Sequence, residues 1–143
     1  MTHSDWQSRF EETYAGPPSR VVERVWRQVY GAEYPSGLDP FSLVSMTELR
    51  RFASELRDGH GETLADLGCG RGGPGLWVAA ATGARLIGID IASHALDAAR
   101  RRAEAMGVAE QADFRAGSFE STGLASASVD GLMSVDALLF CAR

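Results

Sequence analysis

The sequence predicts an α/β fold: a parallel sheet whose strands alternate with helices, entered through a helical N-terminal segment. Three observations carry this. Beyond residue 59, short apolar runs alternate with amphipathic stretches of helical length, the pattern of βαβ units. A glycine cluster, Gly68-Cys69-Gly70-Arg71-Gly72-Gly73, stands between the first run and the stretch that follows it. The second run ends in an acid, Asp90.

The elements follow in order. Pro17-Pro18 precedes Val21, Val22, Val25, Trp26, Val29 and Tyr30, a helical apolar stripe closed by Gly31. A loop rich in turn formers then runs from Gly31 to Pro40. Ser45 and Glu48 have the spacing of a capping box, and Val44 with Leu49 can staple the same helix start. Leu49, Phe52, Ala53 and Leu56 supply its buried face, and Gly59 its C-terminal stop. Residues 1–58 are therefore read as a helical cap and 59–143 as the sheet domain.

Within that domain, 63–67 is the first strand. Pro74 suits the first turn of a helix that buries Leu76, Trp77 and Ala80 and stops near Gly83. The second strand covers 85–89. Ser93 is placed to cap a helix with Leu96, Ala99, Ala103 and Met106 at helical spacing, ending at Gly107. Strand three is expected at 112–116 and strand four at 129–135. Strands two and four are nearly continuous apolar runs, as central strands are. Strand three alternates and carries charge, which suits a sheet edge.

Composition narrows the function classes. All 14 basic residues are Arg, and the chain has neither Lys nor Asn. Schiff-base chemistry and the phosphate-binding lysine of a P-loop are thereby excluded. A net charge of −5 argues against nucleic acid as partner. No apolar run approaches the roughly 18–20 residues of a membrane-spanning helix, and Met1 to Glu12 lacks the apolar core of a signal peptide. Cys69 and Cys141 have no metal-ligand spacing, and His3, His60 and His94 are scattered. The expectation is a soluble, cytoplasmic, metal-free chain with no membrane partner.

Glycines at a strand–helix junction let the backbone turn sharply and let a ligand approach where a Cβ would clash. The helix start behind them offers unpaired N–H groups. Gly68, Gly70 and Gly73 also satisfy the dinucleotide pattern G-x-G-x-x-G, and Asp90 lies 22 residues after Gly68, where an acid accepts both ribose hydroxyls. An NAD(P)-dependent oxidoreductase shares these features. Asp66 speaks against it: a carboxylate there is hostile to pyrophosphate and suits a ligand carrying an ammonium or sulfonium.

The string Leu64-Ala65-Asp66-Leu67-Gly68-Cys69-Gly70-Arg71-Gly72 resembles the first motif of class I S-adenosylmethionine-dependent methyltransferases of the small-molecule type. Residues 86–93 resemble that family's second strand with its ribose-binding acid, Ala116-Gly117-Ser118-Phe119 its turn after strand three, and 128–135 its strand four. The resemblance covers about residues 62–143. It implies a Rossmann-like sheet, strand order 3-2-1-4 for the strands present, and S-adenosyl-L-methionine as cofactor. Asp66 would orient the methionine amino group, while Gly68, Cys69 and Gly70 would line its path. Asp90 would hold the ribose hydroxyls, and Ile91 would lie against the adenine. Gly117 belongs to the adenine turn, Phe119 would offer its N–H to the adenine edge, and Ser134 would face the methionine end. Ser118 departs from the family's usual Asp.

The implied reaction is methyl transfer to an O, N or C atom of a small-molecule acceptor; no catalytic base is assigned. The adenine N-methyltransferase motif after strand four is absent: the chain reads Ser134-Val135-Asp136-Ala137. Cys69 is read as packing rather than nucleophile, His94 as surface, and Arg100-Arg101-Arg102 as a solvated helix face. Tyr14, Tyr30 and Tyr34 are candidates for lid packing. The family's sheet has seven strands, so the C-terminal strands are expected to be missing here. A truncated, self-associating or non-catalytic cofactor-binding fragment, pairing through strand four, is the corresponding expectation.

Overall fold

The computed structural model of the chain describes residues 3–39 and 42–141. Expectations attached to Met1, Pro40 and Arg143 lie outside those residues. Four parallel strands form one sheet in the order β3-β2-β1-β4: β1 (Thr63–Leu67), β2 (Arg85–Asp90), β3 (Ala112–Ala116) and β4 (Gly131–Met133). Five α-helices accompany them among the described residues: α1 (His3–Ala15), α2 (Arg20–Tyr30), α3 (Met46–Asp58), α4 (Gly73–Thr82) and α5 (Ser93–Ala105).

One face of the sheet carries the main core. Leu64, Leu86, Phe114 and Met133 pack under Leu49, Ala53 and Leu56 of α3, Leu76, Val78 and Ala79 of α4, and Leu96, Ala99 and Ala103 of α5. The opposite face holds a smaller cluster, in which Leu67, Ile87 and Ile89 are covered by Phe119, Leu124 and Val129. Side chains alternate across a strand, so Leu64 and Asp66 share the α4 face while Ala65 and Leu67 take the other. That parity carries Asp66 beneath the start of α4.

The capping box of α3 forms as its spacing predicts. Ser45 Oγ accepts from Glu48 N at 3.2 Å, and Glu48 Oε2 accepts from Ser45 N at 2.8 Å. Pro74 lies in the first turn of α4, which ends at Gly83 in a left-handed conformation. α4 buries Leu76, Val78 and Ala79 rather than Leu76, Trp77 and Ala80. The helix is apolar nearly all round, so periodicity alone did not select its inner face.

Four further expectations need correction. The expected helical cap was given no element of its own before Pro17; α1 supplies one, with Trp6, Phe10 and Tyr14 at one-turn spacing on it. The valine stripe of α2 is not buried: Val21 is 69% exposed, and Val22, Val25 and Val29 also face out. Ser93 does not cap α5; Glu11 does, its two carboxylate oxygens accepting from Ser93 N at 2.7 Å and His94 N at 3.1 Å. Finally, β4 is three residues long rather than spanning 129–135; it lies at the sheet's edge among the described strands, as the order 3-2-1-4 implies. No helix among the described residues is long and apolar enough to cross a membrane.

Candidate functional site

The site forms at the carboxyl ends of β1 and β2, where open parallel sheets leave a crevice. Asp66 is its deepest polar group, 2% exposed. The N–H of Gly75, in the first turn of α4, donates to its carboxylate. A Cβ at position 75 would stand 2.5 Å from Asp66 Oδ2, so glycine there is what lets the helix start seat on the acid. The other oxygen, Oδ1, has no hydrogen-bond partner among the described residues. Burial, reinforced by the negative charge of Asp90, raises the Asp66 pKa to about 7.

The glycine loop turns directly above. Gly68, Gly70 and Gly72 all adopt positive φ, which only glycine occupies without strain. Gly68 N and Cys69 N both donate to Ile89 O, binding the loop to β2. Asp90 then ties the loop from the other side. Its Oδ2 accepts from Gly70 N at 2.8 Å and its Oδ1 from Ala92 N at 2.9 Å. Burial raises its pKa, while those backbone donors oppose the rise. Cys69 is buried, and burial pushes its thiol well above the ordinary range, so it stays a protonated packing residue.

Two adjoining cavities open here. One is lined by Asp66, Gly68, Cys69, Gly70 and Arg71. The other is lined by Gly68, Asp90, Ile91, Gly117, Ser118 and Phe119, with aromatic side chains across from them. Gly117 continues β3 into this wall, its N–H donating to Asp90 O at 3.0 Å. Ser118 closes its own turn: Ser118 Oγ accepts from Ser121 N at 3.1 Å. Ser134 is the exception among the predicted site residues. Its hydroxyl donates to Leu67 O at 2.8 Å, and Val135 lines the cavities in its place.

Sequence reasoning missed the far wall. Trp6, Phe10 and Tyr14 of α1 face the crevice with Phe140, whose ring meets Trp6 at 4.9 Å and Phe10 at 5.0 Å between centroids. Of the three tyrosines left open, Tyr14 is the one at the site. It lines both cavities, and a Cβ on Gly70 would lie 2.8 Å from its hydroxyl. Burial raises its pKa far above the ordinary phenol range, so it remains protonated. Asp136, at φ 52° and accepting from Leu43 N at 2.7 Å, completes the rim.

Residues 64–143 match the family model described as a methyltransferase domain. The chain belongs to the class I S-adenosylmethionine-dependent methyltransferase family. It is similar to 24-methylenesterol C-methyltransferase 2 of Oryza sativa subsp. japonica, at 33% identity over 136 residues, covering 94% of this chain and 37% of the rice protein. Among solved structures it resembles geranyl diphosphate methyltransferase in complex with GPP and sinefungin, with a TM-score of 0.65 and 19% identity. That match covers 90% of this chain and 55% of the other. It also resembles an S-adenosylmethionine-dependent methyltransferase from Thiobacillus denitrificans in complex with S-adenosyl-L-homocysteine, with a TM-score of 0.56 and 27% identity. There it covers 87% of this chain and 46% of the other. The chain thus spans about two fifths of the length of the curated relatives it matches.

Within this methyltransferase fold, the Arg100-Arg101-Arg102 run is not simply solvated. Arg100 donates to Phe114 O at 2.7 Å, and Arg102 donates to Gly37 O at 2.9 Å. Both long side chains reach from α5 to backbone carbonyls, one on the edge strand β3 and one in the turn at Gly37. His94 is exposed as expected, with Nδ1 2.7 Å from Glu11 Oε2. The hydrogen bonds from the Ser93 and His94 amides hold Glu11 at a pKa of about 2, against the opposing effect of burial. Its carboxylate therefore stays charged at the positive end of α5.

Proposed function

We propose that the crevice binds S-adenosyl-L-methionine and that the protein methylates an apolar small-molecule acceptor. The observation that carries this is the orphaned, buried Oδ1 of Asp66, close to a second buried acid, Asp90. A buried acceptor without a donor is costly, and an ammonium is the group that satisfies both its charge and its hydrogen-bonding needs. The pyrophosphate of a dinucleotide would meet repulsion at the same place.

In this reading Asp66 anchors the methionine amino group. The second lone pairs of Asp90 take the ribose hydroxyls, while Gly70 N and Ala92 N hold its carboxylate in place. Ile91, Gly117 and Phe119 flank the adenine. When bound, the cofactor supplies an electrophilic methyl on a sulfonium. The chain's own contribution is positioning and water exclusion, with Trp6, Phe10 and Phe140 forming a dry wall over the crevice. The compounds named for similar proteins, sterols and geranyl diphosphate, each carry a large hydrocarbon part, and the aromatic wall suits a hydrocarbon part of that kind. Calorimetric titration with S-adenosyl-L-methionine, S-adenosyl-L-homocysteine and NAD tests the assignment. Micromolar or tighter binding of the first two and none of NAD is expected; preferential binding of NAD overturns it.

Ser118 is the place where the adenine contact is open to improvement. A carboxylate accepts more strongly than a hydroxyl and can keep the turn-closing bond to Ser121 N. Ser118→Asp is expected to tighten cofactor binding by about 1–2 kcal/mol, roughly tenfold. An unchanged or weaker affinity in the same titration places the adenine elsewhere.

Pairing of a second copy along β4 belongs to the same proposal, carried by Leu132, which is 59% exposed on the edge strand. Met133 is buried in the core, so a charge there disrupts folding and reports nothing about pairing. Leu132→Glu is the informative change. Light scattering is expected to show the wild-type chain as a dimer and the variant as a monomer; a monomeric wild-type chain contradicts the pairing.

A further inference from the structure

The glycine loop and the helix that faces it are joined by one side chain. Arg71, inside the loop, is only 11% exposed. Its Nη2 donates to Gly16 O, just after α1, at 2.6 Å. Its Nη1 approaches Asp39 Oδ2 at 3.5 Å, and its guanidinium lies over the Tyr14 ring, 5.1 Å from the centroid. Asp39 is itself gripped from α5 by Arg102 Nη2 at 3.4 Å. Three separate stretches of chain therefore converge on one guanidinium: the end of α1, the 37–39 turn and the loop that turns above Asp66.

Only arginine can serve all three at once. Its rigid fork offers five donors in one plane, and that plane also stacks on an aromatic ring. Two further ties of α1, Gln7 Nε2 to Ile91 O at 3.3 Å and Glu11 to the start of α5, run to the segment that follows β2. Arg71 ties the end of α1 to the glycine loop, where Tyr14 of α1 also packs beside Gly70. Gly16 has open space where a Cβ would stand and is followed by the stiff Pro17-Pro18, so Arg71 holds α1 at the point where it joins a stiff segment.

We propose that Arg71 is a positioning residue that latches α1 over the cofactor, so that its grip on Gly16 and Tyr14 sets how fast the ligand escapes. This rests on the cofactor reading above but concerns a different quantity, the dissociation rate. Ligand enters while α1 is open and leaves only when the latch releases. Loss of the latch therefore accelerates departure and leaves entry nearly unchanged.

The test uses the full chain and two variants, Arg71→Lys and Asp39→Asn. Lysine keeps a charge near Asp39 but cannot reach Gly16 and cover Tyr14 together. Asn at 39 keeps the Gly16 bond and weakens the ion pair. Hydrogen exchange on the free protein is expected to speed up in α1 for Arg71→Lys, with β1 and β2 unchanged. In stopped-flow displacement, S-adenosyl-L-homocysteine should dissociate about 10–100-fold faster from Arg71→Lys. The effect should be smaller for Asp39→Asn, with association rates within about threefold. Unchanged exchange in α1 overturns the latch. So does faster exchange throughout the sheet, which marks a general structural role, or an unchanged dissociation rate. If the wild-type chain binds no S-adenosyl-L-homocysteine, the cofactor reading fails, while exchange in the free protein still decides for or against the latch.

Discussion

Asp66→Asn is expected to stabilise the protein at pH 8 while removing its affinity for the cofactor. The acid's pKa rises from the ordinary 3.8 to about 7 on folding because its charged form is buried without enough donors. A carboxylate with a raised folded pKa binds its proton more tightly in the folded state than in the unfolded one. Its stability contribution is intact below about pH 4, declines as pH rises from about 4, and is fully lost above about 7. A rise from 3.8 to about 7 corresponds to roughly 4 kcal/mol. Asn keeps the shape and the acceptor for Gly75 N and carries no charge. The variant should therefore gain roughly 2–4 kcal/mol at pH 8, on the order of 10 °C in Tm, and nothing near pH 3. Thermal denaturation across that pH range checks it. A variant less stable than wild type at pH 8 means that the carboxylate is held by donors in the folded protein. Function here costs stability, as it commonly does where a site keeps a polar group in reserve.

Asp90→Ala is expected to weaken S-adenosyl-L-homocysteine binding by about 2–4 kcal/mol, from the loss of hydrogen bonds to a charged acceptor. Part of that loss is indirect, because Asp90 also holds Gly70 N and Ala92 N in place. A ligand lacking both ribose hydroxyls separates the two contributions. Wild type should bind it far more weakly than S-adenosyl-L-homocysteine, whereas Asp90→Ala should bind the two about equally. If the variant still discriminates between them by calorimetry, the ribose is held by other groups.

Much of this arrangement was legible in the residue string because it is local. A capping box needs Ser45 and Glu48 three residues apart, a positive φ after β1 needs glycine, and an acid ending β2 needs only strand parity. The three-residue β4 and the exposed α2 were misread for one reason: an apolar pattern reports what a segment can bury, not what packs on it. Ser93 was the natural cap of α5 by type, yet Glu11, 82 residues earlier, takes its N–H. α1 was hidden by its polar composition, although Trp6, Phe10 and Tyr14 already stood on one face. Contacts such as Arg71 with Gly16 and Asp39, or Arg102 with Gly37, join residues 32 to 65 positions apart. No spacing rule connects them. Gly75 reads as helix filler in the string; the seating of Asp66 beneath it explains the residue.

The central claim is that Asp66 receives a cationic group of an adenosyl ligand, and the affinity for S-adenosyl-L-homocysteine between pH 5.5 and 8 tests it most directly. Binding that requires the ionised acid must first remove its proton. Wild-type affinity should then fall about tenfold per pH unit below about 7 and level off above it, while Asp66→Asn binds weakly at every pH. A wild-type affinity that is flat across this range, or an Asp66→Asn variant that binds as tightly as wild type, would contradict the account.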